Sequence, residues 1–194
     1  SYLSENTEDK MNFKDILSKL RIFFEMIKFE HSIFALPFAY LGLMMAEKGW
    51  PSLSLFAWVT LAMVSFRTMG MAWNRLADLE IDAANPRTAN RALPKRKLSR
   101  PFVWTLIVFS FMVFEWSAYR LNSLCFALSG IPVFLTLVYP FAKRFTWMSH
   151  FILGLILGIA PYGAWLASRP EFSWVPGLMT VCVMTWFAAF DVIY

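Results

Sequence analysis

The residues whose types and spacing promise chemistry lie in one stretch, Asn74-Arg75-Leu76-Ala77-Asp78-Leu79-Glu80-Ile81-Asp82. Asn74, Asp78 and Asp82 recur every four positions, which places them on one face of a helix with a slow drift of about 40° per step. Two carboxylates and an amide oxygen on one stripe make a hard-oxygen donor set. Mg2+ favours such sets, with phosphate oxygens of a substrate completing its shell. A solvated helix end carrying ordinary charges would show the same spacing, so the stripe alone leaves both readings open.

A basic loop follows at once, Asn85-Pro86-Arg87-Thr88-Ala89-Asn90-Arg91-Ala92-Leu93-Pro94. A loop serving only lipid headgroups needs Lys and Arg but no acidic neighbours. Acidic and basic groups together suit a phosphate bridged by metal and flanked by cations. A second segment, Tyr139-Pro140-Phe141-Ala142-Lys143-Arg144-Phe145-Thr146, offers Lys143 and Arg144 either as topology anchors or as anion contacts. Lys28 and Arg67 lie near the same ends of the first two apolar segments. An arginine within a span costs about 2.5–3.5 kcal/mol near the bilayer centre and less toward the interface, so Arg67 is expected to face the bundle interior and an anion. His31 and His150 read as interfacial or packing groups. Glu115 reads as solvated near the outer interface, and Cys125 and Cys182 as free thiols in apolar runs.

These groups need a scaffold, and composition says which kind. The 194 residues are 58% hydrophobic and only 16% charged, where a soluble domain has about a quarter charged. Mean hydropathy is +0.52. Six apolar segments, at 31–47, 52–74, 101–119, 122–141, 148–168 and 172–193, each approach the ~20 residues that carry a helix across a bilayer. Lipid tolerates no unpaired backbone groups, so the expectation is an all-α transmembrane bundle. Pro37, Pro132 and Pro161 fall inside these segments. Residues 1–12 read as a polar tail, and the apolar spacing of 13–29 predicts an amphipathic helix on the membrane surface. The last segment runs to Tyr194 without a polar flank, so the sequence is expected to be a C-terminally incomplete piece of one domain, 13–194.

The loop charges assign sides. Fourteen basic residues fall in the N-terminal region, the 75–100 loop and at Lys143 and Arg144, against Lys48, Arg120 and Arg169 on the other side. The positive-inside rule then puts the site loops in the cytoplasm, as in a bacterial inner membrane or its equivalent. The net charge of +5 is therefore read as topology, and no nucleic-acid partner is expected.

Asn-Arg-x-x-Asp-x-x-x-Asp, Asn-Pro-Arg-Thr-x-x-Arg-x-Leu-Pro and Tyr-Pro-Phe-x-Lys-Arg-Phe-Thr together resemble the UbiA superfamily of intramembrane prenyltransferases. The resemblance is greatest to the 4-hydroxybenzoate polyprenyltransferases. The stretch Ile27-Lys28-Phe29-Glu30-His31-Ser32-Ile33-Phe34-Ala35-Leu36-Pro37-Phe38 is also similar to a branch linked to menaquinone made by the futalosine route. The resemblance implies about nine helices around a central cavity, of which this chain holds six. It implies that Asn74, Asp78 and Asp82 hold Mg2+, and that Lys28, Arg67, Lys143 and Arg144 contact a diphosphate. Tyr139 matches a tyrosine near the reacting end of the prenyl chain, and Asp191 the start of a second aspartate-rich cluster. The family often has Gly after the Leu-Pro pair, where this chain has Lys95-Arg96-Lys97.

The function implied is Mg2+-dependent transfer of a polyprenyl group from polyprenyl diphosphate to an aromatic acid such as 4-hydroxybenzoate, in quinone biosynthesis. Asp78, Asp82 and Tyr139 are the catalytic candidates. Prenylation of dihydroxynaphthoate on the way to menaquinone is the alternative acceptor reading. A non-enzymatic transporter is the rival class, but transporters place ionisable groups near mid-bilayer, whereas here they gather at one mouth. The chain as given is expected to be inactive.

Overall fold

The computed structural model describes residues 13–28 and 35–193, with the side chains of 15–28 and 35–190. The tail 1–12, His31, Tyr194 and the Asp191 side chain lie outside that description. The described residues fold into helices alone: α1 Phe13–Met26, α2 Leu36–Glu47, α3 Leu53–Ala77, α4 Leu79–Ala84, α5 Arg100–Leu121, α6 Ser123–Leu128, α7 Gly130–Phe145, α8 Ser149–Ser168 and α9 Trp174–Ile193.

Of the six segments that the sequence predicts to span, four are helices long and apolar enough to cross a membrane. They are Leu53–Ala77, Arg100–Leu121, Ser123–Phe145 and Ser149–Ser168. α2 and the apolar stretch Trp174–Phe190 are shorter within the described residues, so a count of six is not reached there. The all-helical membrane class holds.

Side-chain caps set several helix starts. Ser52 Oγ accepts the Leu55 amide at 3.3 Å and Ser99 Oγ accepts the Phe102 amide at 3.4 Å, satisfying N–H groups that the first turn leaves open. The prolines within the apolar segments take two kinds of position. Pro37 sits at the start of α2, and Pro132 is the third residue of α7, where a missing N–H costs nothing. Pro140 and Pro161 are the ones inside helices.

α3 packs along α5, α7 bridges α3 and α8, and α8 lies between α2 and α9. The α8 contacts are backbone-close because glycines make them so. A Cβ on Gly42 of α2 would lie 2.2 Å from the Pro161 carbonyl oxygen. One on Gly154 would lie 2.4 Å from Met184 O, and one on Gly158 2.6 Å from Thr180 O. Between apolar helices in lipid, such close van der Waals packing replaces the missing hydrophobic drive.

The surface-helix expectation for 13–29 needs correction on one side. Phe23, Met26 and Ile27 are buried among Met69, Ala72, Leu93, Leu98, Val103 and Ile107. Leu17 and Phe24 stay exposed. One edge of α1 is thus part of the protein core and clamps the 84–99 loop against α3 and α5.

Candidate functional site

α3 does not run unbroken through the three candidate ligands. It ends at Ala77, Asp78 turns with φ −90° and ψ 4°, and α4 begins at Leu79. The register nevertheless survives the turn. Asp78 N donates to Asn74 O at 3.0 Å, and Asp82 N donates to Asp78 O at 2.8 Å. The expected shared face of Asn74, Asp78 and Asp82 is therefore kept by hydrogen bonds spaced as in a helix, across a local break.

Both carboxylates are buried, at 6% exposure each, and both meet cations. Lys143 Nζ donates to Asp78 Oδ2. Arg144 Nη2 donates to Ala77 O at 2.8 Å and stands 3.6 Å from Asp78 Oδ1. That arginine serves the open C-terminal carbonyls of α3, where a positive charge is favoured by the helix dipole. On the other side, Arg91 Nη1 donates to both oxygens of Asp82 at 2.7 Å. Lys143 and Arg144, separated from the carboxylates by more than sixty residues of sequence, are brought to them by α7. A hydrogen bond from Trp73 Nε1 to Leu137 O at 3.1 Å ties α7 to α3.

The loop that delivers Arg91 is an ordered turn. Asn85 Oδ1 accepts the Arg87 amide at 3.0 Å, and Asn85 O accepts the Thr88 and Ala89 amides. Buried Thr88 donates through Oγ1 to Asp82 O at 2.9 Å. Asn-Pro-Arg-Thr is thus a turn whose chemistry folds the chain back on Asp82. The pairing of Arg91 and Thr88 with Asp82 does not follow from the sequence pattern of the loop alone. The Asn-Pro pair was the available signal. Arg75 Nε donates to Met26 O at 3.4 Å, fastening α1 to the mouth.

From this mouth a cavity of about 530 Å³ extends between α3, α5, α7 and α8. Arg67, Asn74 and Tyr139 line its polar end, and side chains such as Val59, Met63, Phe66, Phe114 and Leu157 its length. Arg67 turns inward as expected, with its Nε buried and without a hydrogen-bond partner. Thr136 Oγ1, also on the cavity wall, is buried and unpartnered too. Tyr139 lies between this cavity and an open polar pocket lined by Lys143, Arg144, Trp147, Ser149 and His150. The Lys143 ammonium stands 5.7 Å from the Tyr139 ring centre. Lys28 occupies an exposed turn after α1 with φ 49° and lines neither space. Glu115 differs from expectation: it is half-buried and accepts from Ser129 Oγ at 2.8 Å.

Among the described residues no group of three or more His, Cys, Asp or Glu side chains gathers. Any donor set here is the two aspartates with Asn74. Asp78 Oδ1 is buried and without a hydrogen bond. A buried carboxylate oxygen left so is costly, and it fits a hard cation as partner. The residues present are compatible with Mg2+ bound through few carboxylates and completed by phosphate oxygens.

The described residues thus form a helical membrane bundle with an apolar cavity and an ion-paired polar mouth. The sequence model of the UbiA prenyltransferase family matches residues 35–194, and the chain belongs to that family. It is 32% identical over 157 residues to a 4-hydroxybenzoate octaprenyltransferase of Francisella tularensis subsp. novicida, covering 79% of this chain and 54% of the relative. It is 30% identical over 154 residues to a protein of the same name from Vibrio campbellii, with 79% and 54% covered. The chain thus spans about half the length of the curated relatives it matches. Among solved structures, the apo structure of a UbiA homolog from Aeropyrum pernix K1 aligns with TM-score 0.78 and 37% identity, over 85% of this chain and 62% of that one. A digeranylgeranylglyceryl phosphate synthase structure shares the fold at TM-score 0.80 and 16% identity, over 91% and 62%.

Proposed function

We propose that this protein transfers a polyprenyl group from polyprenyl diphosphate to an aromatic acid of the 4-hydroxybenzoate type, in quinone biosynthesis. The observation that carries the reading is a long apolar cavity whose polar end, at Arg67, Asn74 and Tyr139, adjoins through Tyr139 a pocket lined by Lys143 and Arg144. The apolar tail gains about 0.8 kcal/mol for each CH2 it buries, and the diphosphate meets cations already held in place. Arg67 faces the polar end of the cavity from within, and Lys28, which lines neither space, remains only a proposed diphosphate contact.

Asn74, Asp78 and Asp82 are the residues that would hold Mg2+, which would supply charge neutralisation of the leaving diphosphate. Lys143 and Arg144 bind and orient the diphosphate, pre-organised by their ion pairs and by the Ala77 carbonyl. As the allylic C–O bond breaks, its electron pair leaves with the diphosphate. The Tyr139 ring, at the junction of cavity and polar pocket, presents a π face to the developing allylic cation. The phenol ring attacks beside its hydroxyl, a C–C bond forms and the ring proton is lost. The apolar walls keep water from the cation. Asp191 joins this set as a second-cluster residue in the same proposal.

Membranes containing the natural full-length polypeptide, offered 4-hydroxybenzoate and dihydroxynaphthoate in parallel with a polyprenyl diphosphate, should yield prenylated 4-hydroxybenzoate by mass spectrometry. Prenylation of dihydroxynaphthoate alone would move the acceptor to the menaquinone route. Solute uptake by proteoliposomes without any prenyl transfer would overturn the enzymatic reading. The mouth is proposed to face the cytoplasm, so Ala89→Cys should resist an impermeant thiol reagent added to intact cells. Ready labelling would reverse the orientation.

A further inference from the structure

The mouth takes Arg91 from the loop between α4 and α5 and makes no use of that loop's most basic part. Between positions 83 and 114 the chain has no Asp or Glu. Lys95, Arg96, Lys97 and Arg100 fall there, and all four are exposed. Among the described residues none of them is in a salt bridge. The first three sit on a fixed turn. Lys95 N donates to Arg91 O at 3.1 Å, Arg96 N to Leu93 O at 2.9 Å and Lys97 N to Ala92 O at 2.9 Å. Leu93 and Leu98, on either side of the triplet, are buried, so the anchors go inward and the cations outward. Arg96 holds φ 54°, where a glycine would sit without cost. Topology alone needs basic residues anywhere in the loop, not an arginine at the strained position of an ordered turn.

The turn lies close to the membrane boundary. Arg100 is the first residue of α5, a helix long and apolar enough to span. Trp104, one turn further in, is exposed, and tryptophan near a span end marks the level of the headgroups. α1 packs on the same turn, since Phe23, Met26 and Ile27 share a core with Leu93 and Leu98. Leu17 and Phe24 of α1 are exposed, and their spacing of seven residues puts them on one helix face. An apolar stripe with cations close by is the pattern of a helix lying in the bilayer interface; here the cations come from the loop.

We infer that this turn and the exposed stripe of α1 form a binding surface for the headgroups of anionic phospholipids. Lys95, Arg96, Lys97 and Arg100 meet the lipid phosphates, and Leu17 and Phe24 enter the acyl boundary. A zwitterionic headgroup carries no net charge for the cations to hold, and a free phosphate ion has no chain for the stripe.

In the test, the purified natural full-length polypeptide in a neutral detergent is titrated with phosphatidylglycerol or with phosphatidylcholine of the same acyl chains, and bound lipid is counted by native mass spectrometry. Phosphatidylglycerol is expected to bind more tightly. Lys95→Gln and Lys97→Gln should each lower its apparent affinity by about fivefold, the scale of one basic group at an anionic surface, and leave phosphatidylcholine unchanged. Arg96→Gly removes the same charge while relieving the backbone, so it gives the same loss in a protein at least as stable as the parent. Leu17→Ser should weaken both lipids, and excess inorganic phosphate should not displace phosphatidylglycerol. Equal binding of the two lipids by the parent overturns the inference, as does parental phosphatidylglycerol affinity in Arg96→Gly and in the Lys95→Gln, Lys97→Gln double variant. Full displacement by inorganic phosphate overturns it too, because it would mark a soluble-anion site. No prenyl donor enters the measurement, so failure here and failure of the proposed reaction are told apart.

Discussion

The mouth of the cavity and the α2–α8–α9 interface are both tight, but for opposite physical reasons. At the mouth, five charged side chains from three separate segments are held by directional contacts: Asp78 with Lys143 and Arg144, Asp82 with Arg91. Along α8, Gly42, Gly154 and Gly158 bring backbones together with no side chain between them. Breaking a buried ion pair leaves a charge without a partner. Filling a glycine site leaves two backbones without room. The mouth can exchange partners when an anion or cation arrives, because its cations are only partly buried, at 29% and 32% side-chain exposure for Lys143 and Arg144. The α8 interface has no such alternative. The first kind of region can exchange partners, and the second is rigid.

The largest effect that would test this contrast is at the aspartates. Asp78→Asn and Asp82→Asn should each lower prenyl transfer by about 10²- to 10³-fold, the scale of losing one pre-organised charge contact at a reacting group. Accumulation in membranes should stay near the parent's level, because the released cations reach water. Full turnover in both variants would remove the metal-binding role.

The opposite pattern is expected at the α2–α8 contact. Gly42→Ala should cost about 1–3 kcal/mol, as overpacking does, and should show as a lower thermal midpoint in detergent. Because the obstacle is the Pro161 carbonyl and not a flexible side chain, little relaxation is available. An unchanged midpoint would show that close approach is not what holds these helices.

A smaller effect separates charge from shape at the mouth. Arg144→Lys keeps the charge but loses the planar fork that serves Ala77 O while standing beside Asp78. Donor KM should rise about tenfold, equivalent to ~1.4 kcal/mol. A silent Arg144→Lys, together with unchanged donor affinity in Lys143→Ala and Arg144→Ala, would reduce both residues to topology anchors.

The smallest effect concerns the loop between α4 and α5. Arg96 holds φ 54°, a conformation that costs a residue with a Cβ about 1–2 kcal/mol. Arg96→Gly should therefore be neutral or should raise the thermal midpoint slightly, within about 1 kcal/mol of stability. A clear loss of stability would mean that the arginine side chain contributes more than its backbone strain.

Much of the site was legible because its signals are local. Asn74, Asp78 and Asp82 share a face by spacing, and two backbone hydrogen bonds preserve that spacing across the turn at Asp78. Arg67 was expected to face inward because lipid penalises a charge, and it lines the cavity. Less legible were pairings across long separations. That Arg91 belongs to Asp82, and Lys143 with Arg144 to Asp78, depends on where a turn and a distant helix place them. Glu115 was read as solvated because its sequence position lies near a span end. Ser129, fourteen residues on, is what holds it. Of the prolines, Pro161 lies inside α8 and Pro132 inside the span Ser123–Phe145 as read from the sequence, while Pro37 begins α2.

By itself the sequence determined the class of solvent, the helical form of the backbone, and which residue types could serve an anionic head group. Those follow from hydropathy, from the need of every peptide group for a hydrogen bond in lipid, and from charge. Only the tertiary structure decided that the carboxylates are paired with particular cations, that α1 is clamped into the core, and that Asn122 ties the turn between α5 and α6 to the last turn of α8. Each of these is a contact between segments far apart in the chain, and the energy of such a contact depends on distances that no local pattern encodes.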